Sequence, residues 1–285
     1  MSGDREAVRD LSMFRDDMIE FGKDLDRIGV EFIRDVIKPA LAEQKRSLQK
    51  EIGPSELGAR CKRWMAHKFA GTPPVGLPKT KWAAAVGTAI HDHLNLWCHA
   101  YNERHGVNRY LFDLLVYVGD LYPGRPITGH LDVYDVWRGV VLDAKFPGAT
   151  QLDKYRPVGA AENPQYSDQV HCYGNGILNA GLPVAAVGML RLPRGSDNLD
   201  DGYWRYEPHD PERGRRALAR AGAVAQTVEA LGSAAIPLMP TAEQYCSSCP
   251  YFLPGATDLE RACPGADAVI TRHARPPAHI AALMG

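Results

Sequence analysis

The chain has 285 residues, of which 45% are hydrophobic and 24% are charged, and its formal net charge at pH 7 is −1. This composition excludes a disordered, collagen-like or coiled-coil protein, and the length is sufficient for one large domain with its own core. No stretch approaches the roughly 18 uninterrupted apolar residues that a membrane span requires. No signal-peptide core follows the charged N-terminus. We therefore expect a cytoplasmic protein without a membrane partner.

The predicted elements alternate between helices and strands along the chain. Apolar residues at helical spacing predict two helices within residues 4–50, with a break near Gly22 or Gly29. The remaining predicted elements, in chain order, are a helix at 81–103, a strand at 111–118, a hairpin at 127–136 and 139–146, a helix at 165–180, strands at 184–192 and 203–207, and a helix at 211–231. This order predicts an α/β (α+β) core within a single domain.

Cysteines cluster near the C-terminus of the chain. Three of the six lie within 18 residues in a Pro- and Gly-rich stretch, as Cys246, Cys249 and Cys263. Thiolates select zinc or iron–sulfur clusters, and both normally take four ligands. A redox-active C-x-x-C is a competing interpretation, but the third cysteine and the lack of a preceding thioredoxin-like strand count against it.

The fourth ligand has to come from elsewhere in the chain. Cys61 lies in the polar, basic stretch Gly58-Ala-Arg-Cys-Lys-Arg, where burial as a core residue is less natural, and it is the candidate. The other two cysteines, which lie in apolar helical runs and are expected to pack as small hydrophobic side chains, are Cys98 and Cys172. Spacing alone leaves both zinc and iron–sulfur open.

Positive charge is concentrated in two parts of an otherwise neutral chain. The first part, from Leu57 to His91, contains no acidic residue. Its basic residues are Arg60, Lys62, Arg63, Lys68, Lys79 and Lys81, and a second cluster, in a predicted helix, comprises Arg213, Arg215, Arg216 and Arg220. Such patches favour binding of a phosphate backbone, and the alternative is an ordinary solvated face that lacks acidic residues.

Two acidic residues of the predicted hairpin stand in recognisable motifs. Asp132 ends the segment Gly129-His-Leu-Asp, and Asp143 begins the segment Asp-Ala-Lys145. Side chains alternate along a strand, so Asp143 and Lys145 are predicted to share a face, and pairing across the hairpin can bring Asp132 close. Adjacent carboxylates in an apolar setting need a cation, and hard oxygen ligands suit Mg²⁺ or Mn²⁺. This layout is typical of metal-assisted phosphodiester hydrolysis. The alternative is an exposed hairpin with ordinary surface acids.

Two helical motifs flank these acids. Gly87-Thr-Ala-Ile-His91 precedes them, and Gln169-Val-His-Cys-Tyr173 follows them, with the Gln and the Tyr one helical turn apart. In this order the four motifs, G-x-x-x-H, G-x-x-D, (D/E)-x-K and Q-x-x-x-Y, resemble the RecB-like nuclease family of the PD-(D/E)XK superfamily. The resemblance covers most of the chain. It implies a restriction-endonuclease-like core, in which a central mixed sheet is flanked by helices.

The resemblance also implies a role for each motif residue. The ligands of the divalent cation, magnesium or manganese, would be His91, Asp132, Asp143 and the carbonyl of Ala144. Lys145 would position the attacking water and stabilise the scissile phosphate. Gln169 and Tyr173 would orient Lys145 or the DNA strand. The family pattern allows Asp143 at a position where Glu is common.

One branch of the family carries a [4Fe–4S] cluster held by one cysteine before the nuclease motifs and three after them. It includes CRISPR-associated exonucleases, the AddB nuclease module and phage-encoded proteins. The cysteines of this chain stand in the same arrangement, as Cys61, Cys246, Cys249 and Cys263. One departure is the gap of thirteen residues between Cys249 and Cys263, which is longer than is usual for the family. The resemblance, rather than the spacing, therefore favours iron–sulfur over zinc.

DNA, single-stranded or with free ends, is the implied substrate. The basic segment would follow its backbone, and the residues predicted to contact it are Arg60, Lys62, Arg63, Trp64 and Lys68. Trp82 is expected instead to belong to the core. The implied activity is that of a metal-dependent DNA exonuclease in recombination, repair, replication or CRISPR-type adaptation. The alternatives are a catalytically idle, cluster-stabilised DNA-binding subunit and a zinc-containing structural protein.

The predicted organisation has three parts. Residues 1–50 form a helical extension, residues 51–264 form the nuclease domain closed by the cysteines, and residues 265–285 form a tail. No G-x-x-x-x-G-K-[ST] loop occurs, so the chain has no helicase motor of its own. It is expected either to work alone or to receive strands from a helicase or recombination partner.

Overall fold

The computed structural model describes residues 25–43, 51–75, 82–155, 163–243 and 246–267. The chain divides into two units, residues 1–48 and residues 49–285. In the first unit, α1 (Leu25–Phe32) continues through a π-helical turn (Ile33–Ile37) into α2 (Lys38–Glu43). The helix break predicted near Gly29 is wrong, because Gly29 lies inside α1. The alternative break at Gly22 and the tail from residue 268 onwards lie outside the described residues.

The second unit contains a sheet with helices packed against it. Its helices are α3 (Pro54–Leu57), α4 (Lys62–Phe69), α5 (Trp82–His105), α6 (Ala149–Tyr155), α7 (Pro164–Asn179) and α8 (Pro211–Leu231). Its strands are β1 (Tyr110–Asp120), β2 (Pro126–Asp135), β3 (Val140–Lys145), β4 (Ala186–Arg191) and β5 (Tyr203–Pro208). Across the described ranges, no helix has both the length and the apolar character that a membrane crossing demands.

The strand order of the sheet is β1-β2-β3-β4-β5. β1, β2 and β3 form an antiparallel meander, β4 pairs in parallel with β3, and β5 pairs antiparallel with β4. A parallel pair needs a crossover connection, and the chain between β3 and β4 contains α6 and α7. Gly139 closes the β2–β3 turn with φ of 63°, a conformation that favours glycine. The predicted mixed sheet flanked by helices is confirmed.

α7 is buried on several sides. Its N-cap, Asn163, accepts a hydrogen bond from the Gln165 amide at 3.1 Å, and Pro164 follows at the first helical position. Ten consecutive residues, Asp168–Ile177, are buried between the sheet and α8. The apolar core includes Leu131, Tyr134, Val141, Ile177 and Val187. Polar side chains on α7 must therefore find their partners inside the protein.

Candidate active site and cysteine-lined cavity

Asp132 on β2 and Asp143 on β3 lie on adjacent strands of the hairpin. One oxygen of Asp132 accepts a hydrogen bond from the Ala144 amide at 2.7 Å, which ties this carboxylate to β3. The Asp143 side chain is 2% exposed, whereas that of Asp132 is 18% exposed. Asp143 is thus a buried charge, and such a group needs a compensating cation or hydrogen bonds.

The ammonium of Lys145 is one compensating cation. It forms an ion pair with Asp143 Oδ2, and its Nζ lies 5.6 Å from the centroid of the Tyr166 ring. Burial by itself lowers the pKa of Lys145, but the negative charges of Asp143 and Asp132 outweigh burial, and the pKa is raised above its ordinary value. Lys145 is therefore cationic at neutral pH, and its side chain remains partly open to solvent.

His91 approaches the same place from α5. Its Nδ1 lies 3.4 Å from Asp132 Oδ1, and its ring meets Phe146 edge-on with 5.0 Å between the ring centroids. Gly87 lies one helical turn before His91, and an added Cβ at this glycine would meet nothing within 4 Å. The helix therefore leaves open space on the side of its Gly87–His91 turn.

α7 contributes a hydrogen bond to the buried carboxylate. The Gln169 side-chain amide donates to Asp143 Oδ1 at 2.6 Å, and both side chains are buried. Tyr173, one turn further along, has its ring against Gly129 on β2, where an added Cβ would lie 3.3 Å from it. The structure thus places Gln169 on Asp143 and not on Lys145. An influence of Gln169 on the lysine would pass through this carboxylate.

Two further residues at this place lie outside the predicted motifs. The Tyr166 ring, on the first turn of α7, has its centroid 5.3 Å from the guanidinium carbon of Arg191. Arg191 is buried on β4 and pairs in register with Lys145. Tyr166 precedes Gln169 by three positions, so helical periodicity is a signal that could have identified it. The sequence around Arg191 contains no feature that would predict a buried arginine.

The donor set at this place suits a divalent cation. Asp143 Oδ2 is buried, and the Lys145 ammonium is its ion-pair partner. Together with Asp132 and His91 it provides carboxylates and an imidazole, which Mg²⁺ or Mn²⁺ accepts as ligands. In the part of the chain that the structure describes, no three His, Cys, Asp or Glu side chains are grouped so that they could hold a metal ion. In this arrangement the Lys145 ammonium is the cation beside Asp143.

A separate cavity brings together the four cysteines predicted to be cluster ligands. It is lined by Cys61, at the N-cap of α4, and by Cys246, Cys249 and Cys263. Main-chain hydrogen bonds return the chain to this place after the gap of thirteen residues. The Cys263 amide donates to the Tyr251 carbonyl at 2.7 Å, and the Leu253 amide donates to the Cys263 carbonyl at 2.9 Å. The long gap therefore does not separate Cys263 from the other three thiols.

The thiols in this cavity influence one another electrostatically. Burial, with smaller contributions from Cys61, Cys263 and Cys246, raises the pKa of Cys249 to about 11. A bound metal would reverse this shift, because a coordinating thiol is deprotonated. Four thiols around one cavity are a donor set that fits a thiolate-bound metal centre. His67 lines the same cavity, and burial together with the charge of Arg63 lowers its pKa to about 4.

The residues predicted to contact DNA range from exposed to partly buried. Arg60 is exposed, and Lys62 is half-buried at the start of α4. Lys68 pairs with Glu56 at 2.6 Å. Glu56 stands one position before the acid-free stretch, so the stretch is partly neutralised by a residue just outside it. DNA contact by Arg60 and Lys62 stays a prediction.

The other two predicted DNA contacts, Arg63 and Trp64, have structural partners. The Arg63 guanidinium donates to the Pro237 carbonyl at 3.3 Å. Trp64 packs against the hydrophobic core and lines the cysteine cavity, and the Lys68 ammonium lies 5.6 Å from the centroid of its ring. These contacts give both side chains a role in holding α4 in place, whether or not they also contact a nucleic acid.

The second basic cluster is paired with acids. Arg213 and Arg220 both bind the buried Asp168 of α7, at 2.8 and 2.7 Å. Arg213 also lies 3.8 Å from Glu207. Two further pairs of the cluster are exposed, Arg215 with Glu212 at 2.5 Å and Arg216 with Asp210 at 3.1 Å. The four arginines therefore do not form an uncompensated positive patch on α8.

Three packing expectations are decided by the structure. Cys98 and Cys172 are buried, as predicted, and burial raises the pKa of the Cys172 thiol to about 12. The expectation that Trp82 belongs to the core is wrong, because Trp82 is 59% exposed. The physical reason is that α5 presents little of its surface to the protein, and its buried residues are Cys98 and Asn102.

No protein-family model matches this chain, and no curated protein matches it. Among solved structures, it is similar to an alkaline exonuclease (LHK-Exo) from Laribacter hongkongensis, with 14% identity, a TM-score of 0.43, and coverage of 64% of this chain and 89% of that chain. It is similar to a structure designated SSO0001, with 13% identity, a TM-score of 0.43, and coverage of 79% and 94%. It is also similar to a phage-related exonuclease from Haemophilus somnus 129PT, with 14% identity, a TM-score of 0.35, and coverage of 66% and 94%. These scores describe a partial overlap of folds.

Proposed function

We propose that this chain is a metal-dependent DNA exonuclease of the PD-(D/E)XK type, which hydrolyses phosphodiester bonds from single-stranded ends. One observation carries the proposal, namely that α5, β2, β3 and α7 each bring a polar side chain to one place. These side chains are His91, Asp132, Asp143, Lys145 and Gln169. Carboxylates beside a lysine are the groups that metal-assisted phosphoryl chemistry needs. The Asp143 side chain is 2% exposed, so it is not an ordinary surface acid.

Each residue has a distinct role in this proposal. The cation would be held by His91, Asp132, Asp143 and the carbonyl of Ala144, and when bound it would neutralise charge on the scissile phosphate. Gln169 keeps Asp143 aligned through the hydrogen bond to Oδ1. Lys145 donates hydrogen bonds to a phosphate oxygen and to the attacking water. The raised pKa of Lys145 supports a role as a cation and donor, and argues against a role as the general base.

Exposed groups on α5 support single-stranded DNA as the substrate. Trp82 is exposed at the start of the same helix that carries His91, and the space beside Gly87, one turn before His91, is open. Bases of a single strand stack on exposed aromatic side chains, and such stacking tolerates any sequence. A base within a duplex is already stacked on its neighbours. Arg60 and Lys62 would add contacts to phosphate groups.

We further propose that the cysteine cavity holds a [4Fe–4S] cluster through Cys61, Cys246, Cys249 and Cys263. The four thiols line one cavity and form a donor set that suits such a cluster. The cluster would join α4 to a segment about 185 residues later, and would thereby close the nuclease core.

Digestion of end-labelled single-stranded DNA in Mn²⁺ tests the proposed activity. The site variants are Lys145→Ala and Asp143→Asn, and the matched controls are the exposed Lys38→Ala and Asp197→Asn. We expect the wild type and both controls to shorten the DNA, and the site variants to lose at least about 100-fold in rate. Circular single-stranded DNA should resist, because it has no end. Circular dichroism and thermal melting show whether each variant is folded.

Two results would contradict the proposal. Equal digestion by the wild type and the site variants would assign the activity to another site or to a contaminant. DNA binding without cleavage by the wild type would favour a catalytically idle DNA-binding subunit.

The cluster is tested separately, on protein purified without oxygen. We expect a brown protein with four iron and four sulfide per chain. Cys249→Ala should lose the colour, while Cys98→Ala, a buried cysteine away from the cavity, should keep it. A colourless protein with one zinc per chain would contradict the cluster and support a zinc site.

A further inference from the structure

His67 is a buried imidazole that the proposed nuclease activity does not use. It lies on α4 with 0% exposure, and its ring stacks on Tyr251 with 4.6 Å between centroids and 15° between planes. Its Nδ1 lies 3.2 Å from Thr72 Oγ1, whereas its Nε2 is buried and has no hydrogen-bond partner. The ring is therefore held by stacking on one face and by the contact of Nδ1 with Thr72, whereas Nε2 lacks a hydrogen-bond partner.

This imidazole lines the cavity of the four thiols. The cavity is bounded by Cys61, Cys246, Cys249 and Cys263, together with Trp64 and His67. A buried polar nitrogen without a partner costs free energy, and folded proteins retain few such groups. A group bound by the four thiols would lie within the same cavity and would offer sulfur atoms as hydrogen-bond acceptors.

Electrostatics selects the tautomer of His67. A neutral imidazole carries a single N–H. The Thr72 hydroxyl can donate its proton to Nδ1, and the ring hydrogen is then on Nε2. The opposite tautomer would leave a lone pair on Nε2, which a sulfur acceptor in the cavity would repel. The cavity therefore favours an N–H at Nε2.

We propose that the Nε2–H of His67 donates a hydrogen bond to a sulfur of the cluster or of its cysteine ligands, and thereby tunes the cluster. This inference rests on the [4Fe–4S] cluster proposed above. Hydrogen bonds to sulfur favour the reduced, more negative state, so they raise the reduction potential. They also make the sulfur less available for attack, so the cluster is lost more slowly in air.

The experiment compares the wild type with His67→Phe after anaerobic reconstitution with iron and sulfide. Phenylalanine keeps a ring that can stack on Tyr251 but has no N–H. Visible absorbance and electron paramagnetic resonance follow the cluster during reductive titration with dithionite. We expect the variant to be about tenfold harder to reduce, which is a lower potential by about 59 mV for one electron. Bleaching in air should also be several-fold faster.

Three other variants make the result specific. His93→Phe, at an exposed position of α5, is the matched control and should leave the potential and the bleaching rate unchanged. Thr72→Val removes the hydroxyl outside the cavity, so the ring hydrogen is no longer directed to Nε2, and a smaller shift in the same direction is expected. His67→Gln restores a donor and should recover part of the potential.

The outcomes separate this inference from the cluster proposal. If the wild type carries the cluster and His67→Phe has an unchanged potential and bleaching rate, the inference is overturned and the cluster stands. If the wild type takes up zinc or no metal, the cluster proposal fails and the inference fails with it. If His67→Phe melts normally as apoprotein but takes up no iron even without oxygen, the imidazole is needed for assembly of the cluster, and its role in tuning the potential is overturned.

Discussion

The ammonium of Lys145 forms an ion pair with the carboxylate of Asp143, two positions before it on β3. Asp143 Oδ1 already accepts a hydrogen bond from Gln169, so the lysine contacts the remaining oxygen, Oδ2. Under the proposed function this same carboxylate is a metal ligand. An ammonium and a divalent cation against one carboxylate oxygen repel each other strongly. Lys145 and the metal therefore compete for Asp143.

This competition predicts an unusual variant. Lys145→Met should bind Mn²⁺ about tenfold more tightly than the wild type, or about 1.4 kcal/mol, because methionine removes the competing charge. The same variant should be unable to cleave DNA. Titration calorimetry without DNA measures the affinity, and Lys38→Met is the matched control. An unchanged or weaker affinity would rule out the competition.

Gly87→Ala should separate stability from activity. A glycine inside a helix costs about 0.5–1 kcal/mol relative to alanine, and an added Cβ here meets no other atom within 4 Å. The variant should therefore unfold at a higher urea concentration. Its methyl group would enter the proposed path of the DNA, so the KM for DNA should rise. Gly29→Ala in α1, where a Cβ also meets nothing, is the control. An unchanged KM would place the DNA elsewhere.

Asp168→Asn should destabilise the protein by about 2–4 kcal/mol, because Arg213 and Arg220 would lose their shared carboxylate at a largely buried position. Urea unfolding measures the loss. Glu212→Gln breaks an exposed pair with Arg215 and should cost less than about 1 kcal/mol. Equal losses in the two variants would show that burial does not strengthen the Asp168 interactions.

The free energy of unfolding should fall as the pH is lowered, in two steps. Burial lowers the pKa of His209 to about 4, and the hydrogen bond from His171, opposed by burial, lowers the pKa of Glu207 to about 2. In each case the unfolded chain binds the proton at a higher pH than the folded chain. Stability should therefore decline from about pH 6.5 to 4 through His209 and through His67, whose pKa is also lowered to about 4, and from about pH 4.5 to 2 through Glu207.

Urea unfolding at a series of pH values measures both steps. His209→Gln should reduce the upper step and leave the lower one, and His209→Gln combined with His67→Gln should remove the upper step. Persistence of the full upper step in the double variant would assign it to another group.

Local periodicity predicted most of the fold. The bounds of α8 agree with the sequence pattern at both ends, because the Asp210 cap and the positive φ of Gly232 are themselves local signals. The hairpin acids were identifiable for the same reason, since strand alternation and a tight turn act over a few residues. The helix α4 has no apolar periodicity that marks it, because basic side chains interrupt the pattern.

The partners of charged residues could not be predicted in this way. Nothing near Arg213 or Arg220 in the sequence indicates that both bind Asp168, which lies about 45 to 52 residues earlier. Trp82 is likewise exposed because other elements cover only a small part of α5. Such features are set by tertiary packing, which local patterns do not encode.

Asp168 and Gln169 are neighbours on α7, yet they bind different parts of the protein. Gln169 binds a carboxylate of the sheet, and Asp168 binds arginines of α8. In a saturation mutagenesis screen, substitutions at every position from 168 to 177 of this helix should therefore reduce activity. Loss of activity at these positions would come from both misfolding and failed chemistry. A variant in this helix is informative about catalysis only if its unfolding transition is normal.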